Sequence, residues 1–377
     1  MKIAHIITRL VAGGAQKNTL ICAQHQQQQG HQVTVLSGPE TGSEGSLLEA
    51  AAAANYRLIL VEPMVRRIHP YLDAQALWQL IRLFRRERFD LIHTHTSKAG
   101  ILGRLAAAVC GTPAVVHTPH GHVFHSYFSD FKSRLFQGVE RAIAPLADVQ
   151  VMLSHEELRD HLKAGVFGPE RAVVIPSGVD LQPFRALDCQ ATQFTVGYVG
   201  RLADIKGPLD LVEAFALVAE KIPARLLLVG DGPQRELVVQ RISALRLGER
   251  IQLVGWQNDV RPYLEQMSFL TVPSHNEGMG RVVVEAMAAG LPVLATRVGG
   301  LLDLVQPGLN GLLVEPKSPQ ALADAILGLY ENRANLKVMG EAGSRGAQAF
   351  SQEVMLSRLD ILYDRLARLK GIERSQG

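Results

Sequence analysis

The chain has 377 residues, 47% hydrophobic and 20% charged, with 39 Lys and Arg against 36 Asp and Glu. At roughly 150 residues per domain this suggests about two domains, and the apolar content excludes a disordered chain. A net charge of +3 is too small for a protein whose main task is nucleic-acid electrostatics, and Cys22, Cys110 and Cys189, with no C-x-x-C pair, fit a reducing cytosol rather than zinc or thiol redox chemistry.

The N-terminal run over 3–8 is too short for the apolar region of a signal peptide and reads as a first strand. A helix to about Gln29, a strand over 33–36 and another helix follow. Strands over 58–61, 91–94, 114–118 and 149–153 continue the alternation, with helices between them. Strands alternating with helices of this length are βαβ units on a parallel sheet, so 1–176 is expected to be a Rossmann-like domain. A polar, proline-bearing stretch over 177–193 reads as a hinge. The alternation restarts with strands over 194–199, 225–229, 251–254, 269–272 and 292–295, giving a second Rossmann-like domain over 194–350. In 351–377, Val354, Leu356, Leu359, Leu362 and Leu366 fall at helical spacing and predict an amphipathic helix that packs back across the hinge. No run of about 18 apolar residues predicts a membrane-spanning helix, which leaves surface association open. Eight basic residues between Arg66 and Arg104 oppose three acidic ones, either a solvated face or a contact for anionic lipid.

Two Rossmann-like halves raise the question of a dinucleotide. The turns at Gly13-Gly14, 197–200 and Gly230-Asp231-Gly232 do not complete G-x-G-x-x-G, since Arg235 stands at the third glycine position after Gly230. There is no phosphate-loop signature, no G-x-S-x-G and no H-E-x-x-H. Gly13 and Gly14 still lie between strand and helix, where backbone amides can approach an anion or simply make a tight turn.

Over 273–293 a strand leads through the glycine-bearing turn Glu277-Gly278-Met279-Gly280 into a helix ended by Gly290. A helix start is positively polarised and its first amides lack partners, so it suits a phosphate. Glu277 in the loop and Glu285 in the helix can address two regions of one elongated ligand. Over 197–207 another strand ends at glycine, and Arg201 and Lys206 emerge at the sheet's C-terminal edge, where open α/β sheets bind ligands. Two cations there suit a diphosphate, Arg forking two oxygens and Lys adding a point charge. Six of the 13 histidines lie between His93 and His125. They are interleaved with strand residues and lack partnering carboxylates, which disfavours a metal cluster. His120, with His122 as second choice, is expected to contact a sugar hydroxyl or developing charge, while His93 and His95 read as packed strand-end residues.

Glu277 and Glu285, separated by seven residues, together with Gly200-Arg201 and Lys206-Gly207, resemble the retaining glycosyltransferases of family 4, also called group 1. The loop around Gly13-Gly14 is similar to the family's N-terminal glycine loop and Gly230-Asp231-Gly232-Pro233 also fits, while the segments 93–104 and 118–124 look like the subset that builds bacterial envelope polysaccharide. The resemblance covers nearly the whole chain and implies a GT-B fold, with two Rossmann-like domains facing across a cleft and a C-terminal helix crossing back to the N-terminal one. It implies that Arg201 and Lys206 bind the donor diphosphate and Glu285 the ribose hydroxyls. Glu277, with amides of Gly278, Met279 and Gly280, would hold the transferred sugar. Gly13 and Gly14 would approach the phosphate or acceptor, His120 the sugar near its anomeric carbon, and Trp256 and Gln257 the base. The implied partners are a UDP-sugar, ahead of a GDP-sugar, and a saccharide or polyprenyl-linked saccharide, with no metal and no nucleic acid. The implied location is the cytoplasm, with peripheral contact at the inner face of the membrane. The alternatives are a GT-B sugar-nucleotide epimerase or hydrolase, and a non-catalytic nucleotide-sugar binding protein. The sequence departs from the family at Ser177 after Pro176 and at Gln352 after Ser351, both outside the expected chemistry.

Overall fold

The computed structural model describes residues 1–11, 13–40, 45–121, 130–189 and 191–372, and for 130–133 the backbone alone. The chain divides into two compact units, Met1–Ser177 with Met355–Gly377, and Gly178–Val354.

The first unit holds seven parallel strands: β1 (Lys2–Ile7), β2 (Gln32–Ser37), β3 (Arg57–Leu60), β4 (Leu91–His95), β5 (Ala114–Thr118), β6 (Val149–Met152) and β7 (Ala172–Val174), in the order β3-β2-β1-β4-β5-β6-β7. The second holds six: β8 (Thr195–Val199), β9 (Arg225–Val229), β10 (Ile251–Gly255), β11 (Phe269–Val272), β12 (Val293–Thr296) and β13 (Gly311–Val314), in the order β10-β9-β8-β11-β12-β13. Burial on both faces explains the apolar strands, since helices cover both sides of each sheet. Ile3, Ile7, Val33 and Leu91 pack on one face of the first sheet, and Ala4, Ile6, Leu36 and Ile92 on the other. Each order reverses once, between β1 and β4 and between β8 and β11. These are topological switch points, where the loops leaving the strands' C-terminal ends diverge and leave a crevice.

Two elements depart from the sequence reading. The edge strands β7 and β13 were not expected. Residues from Gly178 onward belong to the second unit rather than to a separate hinge: Val179 and Leu181 are buried in its core, and Val179 bridges to Ser351. The terminal helix, Gln352–Lys370, packs on the first sheet through Met355, Leu359, Leu362, Tyr363 and Leu366. His25 Nε2 lies 2.8 Å from Asp360 and Lys370 Nζ 2.6 Å from Asp148, which fasten the helix at its middle and at its C-terminal end. No helix among the described residues is long and apolar enough to cross a membrane.

Candidate active site

The second unit's switch point gathers the expected donor residues. The loop after β8 carries Arg201 and Lys206, and the loop after β11 carries Glu277 before the helix Arg281–Ala288. The two loops are tied by backbone: His275 N donates to Ile205 O at 2.8 Å, and a Cβ on Gly207 would stand 2.1 Å from Pro273 O. Gly207 also has φ +63°, so glycine alone permits this approach without strain. Lys206 Nζ then meets Glu277 Oε2 at 2.5 Å, and Ser274 Oγ donates to the same oxygen at 3.1 Å. Glu277 is 12% and Lys206 31% exposed, so the pair is partly dehydrated yet open to a ligand. An ammonium has three N–H donors, so Lys206 can keep Glu277 and still bind a phosphate oxygen.

The helix Arg281–Ala288 starts at Gly280, in the left-handed region at φ +72°, with no side-chain cap, which leaves its first amides for an anion. Glu285 sits half-buried on this helix near the Arg281 guanidinium. Arg201 is exposed and has no ion-pair partner among the described residues, while its carbonyl accepts from Tyr198 OH at 2.9 Å. Met279 is buried and anchors the turn. Trp256 and Gln257 follow β10, two strands away, and Trp256 is 66% exposed. The sequence reading missed Gly299 and Gly300, which clamp the loop from the β12 side. Gly300 N donates to Glu277 O at 3.0 Å, and a Cβ on Gly299 would fall 1.9 Å from that oxygen.

Gly13, Gly14 and His120 lie in the first unit. Gly13 N donates to Val11 O at 2.7 Å and begins the uncapped helix Gly14–Gln28, directly after β1. His120 follows β5 with its backbone at φ +60°, and Thr96 follows β4 at φ +63° and ψ +167°. Such conformations cost about 1–3 kcal/mol in a non-glycine residue and collect at functional sites. Thr96 Oγ1 lies 3.0 Å from Thr8 Oγ1, across the switch point. His122 lies outside the described residues. His93, His95 and His117 are buried on their strands, and burial holds all three imidazoles neutral, well below the usual histidine range. Glu157 is a further residue the sequence did not reveal. Its carboxylate accepts from Gly121 N at 3.0 Å and from Leu153 N at 2.6 Å, holding the backbone beside His120.

The basic stretch of the sequence is thinner at the surface than its charges suggest. Arg104 is fully buried against Glu140 at 2.9 Å, and Lys98 pairs with Asp73 at 2.6 Å. Arg66, Arg67, Arg82, Arg85, Arg86 and Arg88 remain exposed, beside exposed Ile68, Tyr71 and Trp78.

Residues 193–332 match the Glycosyl transferases group 1 family and residues 12–183 the Glycosyltransferase Family 4 family. An Escherichia coli UDP-Gal:alpha-D-GlcNAc-diphosphoundecaprenol alpha-1,3-galactosyltransferase is 31% identical over 76% of this chain and 77% of its own length. A D-inositol 3-phosphate glycosyltransferase of Corynebacterium glutamicum is 30% identical over 94% and 92%. The Anabaena protein HepE, crystallised in complex with UDP, shares the fold with a TM-score of 0.82 at 23% identity, over 97% of this chain and all of that one. With both halves matched and similarity to glycosyltransferases running along most of its length, the chain belongs to the group 1, family 4 glycosyltransferases and has their GT-B fold.

Proposed function

We propose that the protein is a retaining glycosyltransferase that moves a hexosyl or N-acetylhexosaminyl group from a nucleoside diphosphate sugar, UDP ahead of GDP, to a saccharide or polyprenyl-linked saccharide of the cell envelope. The observation that carries this reading is the Lys206–Glu277 pair, held at the second unit's switch point beside an uncapped helix start. Breaking a sugar–phosphate bond builds negative charge on the leaving diphosphate and positive character on the sugar. Lys206, Arg201 and the helix start neutralise the first, while Glu277, with the amides of Gly278, Met279 and Gly280, holds the sugar's hydroxyls and Glu285 the ribose. Trp256 and Gln257 border the base, Gly13 and Gly14 approach the phosphate or acceptor, and His120 contacts the sugar near the anomeric carbon. These groups supply the neutralising charge without a metal ion. Retention follows from attack on the face the diphosphate leaves, with a leaving phosphate oxygen taking the acceptor's proton.

The donor and acceptor classes draw support from the E. coli relative, named for UDP-Gal and a diphosphoundecaprenol-linked sugar. A cytoplasmic protein touching the inner membrane face would reach both a soluble donor and a lipid-borne acceptor, and the exposed arginines around Tyr71 and Trp78 offer that contact. A panel of UDP- and GDP-sugars, with product and donor hydrolysis followed by mass spectrometry, tests the reading. Glu277→Ala is expected to abolish product while UDP binding survives. Normal product from that variant refutes the role of Glu277, and failure of wild type to bind either nucleotide refutes the donor assignment.

A further inference from the structure

The buried imidazoles of the first unit form a hydrogen-bonded line. Gln26 Oε1 lies 2.6 Å from His5 Nε2, His5 Nδ1 lies 2.9 Å from His95 Nε2, and His95 Nδ1 lies 2.8 Å from His120 Nε2. A second line beside it runs from Tyr363 OH to His93 Nδ1 at 2.5 Å and from His93 Nε2 to Thr118 Oγ1 at 2.7 Å. A neutral imidazole has one N–H and one lone pair, so the bond directions along a line of such rings are not independent.

Gln26 sets the direction. Its Oε1 faces His5 Nε2, while its Nε2 is buried without a hydrogen-bonding partner among the described residues. An amide oxygen only accepts, so His5 carries its proton on Nε2 and accepts at Nδ1. His95 must then donate from Nε2 and accept at Nδ1, and His120 must donate from Nε2. The His120 Nδ1 is left with a lone pair, and that atom is buried with no hydrogen-bonding partner among the described residues. Burial pushes His5 down to about 4 and His120 down to about 3, so the rings are neutral at physiological pH and no extra N–H relaxes the sequence. His5, His93 and His95 also bring one ring nitrogen each within 4.8 Å of the others, as a metal site would. All six nitrogens of those rings already face a protein partner, which favours the proton line over an ion.

We propose that Gln26, His5 and His95 are positioning residues that fix the Nε2–H tautomer of His120 and so present its Nδ1 lone pair to a hydroxyl of the transferred sugar. This rests on His120 being the sugar-contacting residue. A buried acceptor without a partner is destabilising, and a ligand hydroxyl relieves it.

Long-range 1H–15N correlation spectra of the full-length 15N-labelled protein report each tautomer directly, and the expected result is Nε2–H at His5, His95 and His120. Two substitutions at the middle of the line supply the kinetic test. His5→Asn keeps an oxygen acceptor where Nδ1 stands, whereas His5→Phe keeps bulk and removes the acceptor. His5→Phe is expected to lower kcat roughly tenfold, the scale of one lost hydrogen bond, with donor KM unchanged and mixed tautomers at His120. His5→Asn should restore both kcat and the tautomer. An Nδ1–H tautomer at His120 in wild type, equal losses of kcat in the two variants, or a stoichiometric metal bound by these rings would each overturn the proposal. A fully active His120→Ala beside the expected tautomers refutes the sugar contact, and with it the purpose of the line. Wrong tautomers beside an inactive His120→Ala refute the line alone.

Discussion

Replacing Glu157 by Gln should remove a pH dependence of stability that the wild type carries. Glu157 is 2% exposed at the start of the helix His155–Lys163, and burial pushes its carboxyl from 4.5 up to about 7 against the two amides that hold it. At roughly 1.4 kcal/mol per tenfold change in proton affinity, that displacement is worth about 3 kcal/mol. Its sign follows from where the proton sits. Between pH 4.5 and about 7 the folded protein keeps a proton that the unfolded chain has released, so wild-type stability falls as pH rises through this window and levels off above it. Glutamine cannot ionise, and it loses one amide acceptor, an offset of about 1 kcal/mol that does not vary with pH. Urea denaturation of both proteins from pH 4.5 to 8 isolates the slope. A Trp256→Phe background makes Trp78, in the first unit, the one indole among the chain's two tryptophans that still reports. The stability difference should swing by about 3 kcal/mol in favour of the variant across the window. Parallel curves would refute the reasoning and show that Glu157 is solvated or already paired.

Gly299→Ala should cripple the donor loop without unfolding the unit, since its Cβ would overlap Glu277 O at 1.9 Å and its φ of +49° already strains any side chain. Titration calorimetry should show UDP affinity at least about tenfold weaker beside an unchanged circular dichroism spectrum, and wild-type affinity would refute the clamp. Glu140→Ala leaves Arg104, fully buried and with Nη1 already unpartnered, without its counter-charge. It should cost about 3–5 kcal/mol in denaturant unfolding, and a further Arg104→Met change should recover most of the loss if the uncompensated charge is the cause. The arginine and aromatic surface around Trp78 should bind vesicles containing anionic lipid in a sedimentation assay and release them as salt rises, because exposed charges are screened over about 8 Å at physiological ionic strength. Binding that ignores salt, or none, returns this surface to a solvated face.

The central strands were legible because each is a short β-branched or apolar run buried on both faces, as in Phe269–Val272 and Ala114–Thr118. The edge strands were not. β7 has three half-buried residues paired on one side, and β13 begins at Gly311, where a Cβ would meet Val293 O at 2.0 Å, so packing rather than propensity makes it a strand. The same division runs through the site. Arg201, Lys206, Glu277 and Glu285 stand out in sequence because charges follow apolar strands at glycine turns. Gly299, Gln26 and Tyr363, and Glu157 through Gly121, act on groups 21 to 270 positions away and leave no local mark.

His93 and His95 interrupt β4, Leu91–His95, at alternate positions, which places them on one face of a strand whose every residue is buried. His5 stands opposite His93 in the parallel register with β1. Burying three imidazoles on one face next to a switch point breaks the apolar pattern of a central strand at a cost in desolvation. The break is tolerated because each ring of the line satisfies the next, and the ring nitrogen left over at its end belongs to His120, on the loop where the backbone is strained. A polar interruption in an otherwise apolar strand is therefore better read as one end of a network than as a packed residue, and its other end is where a ligand should be sought.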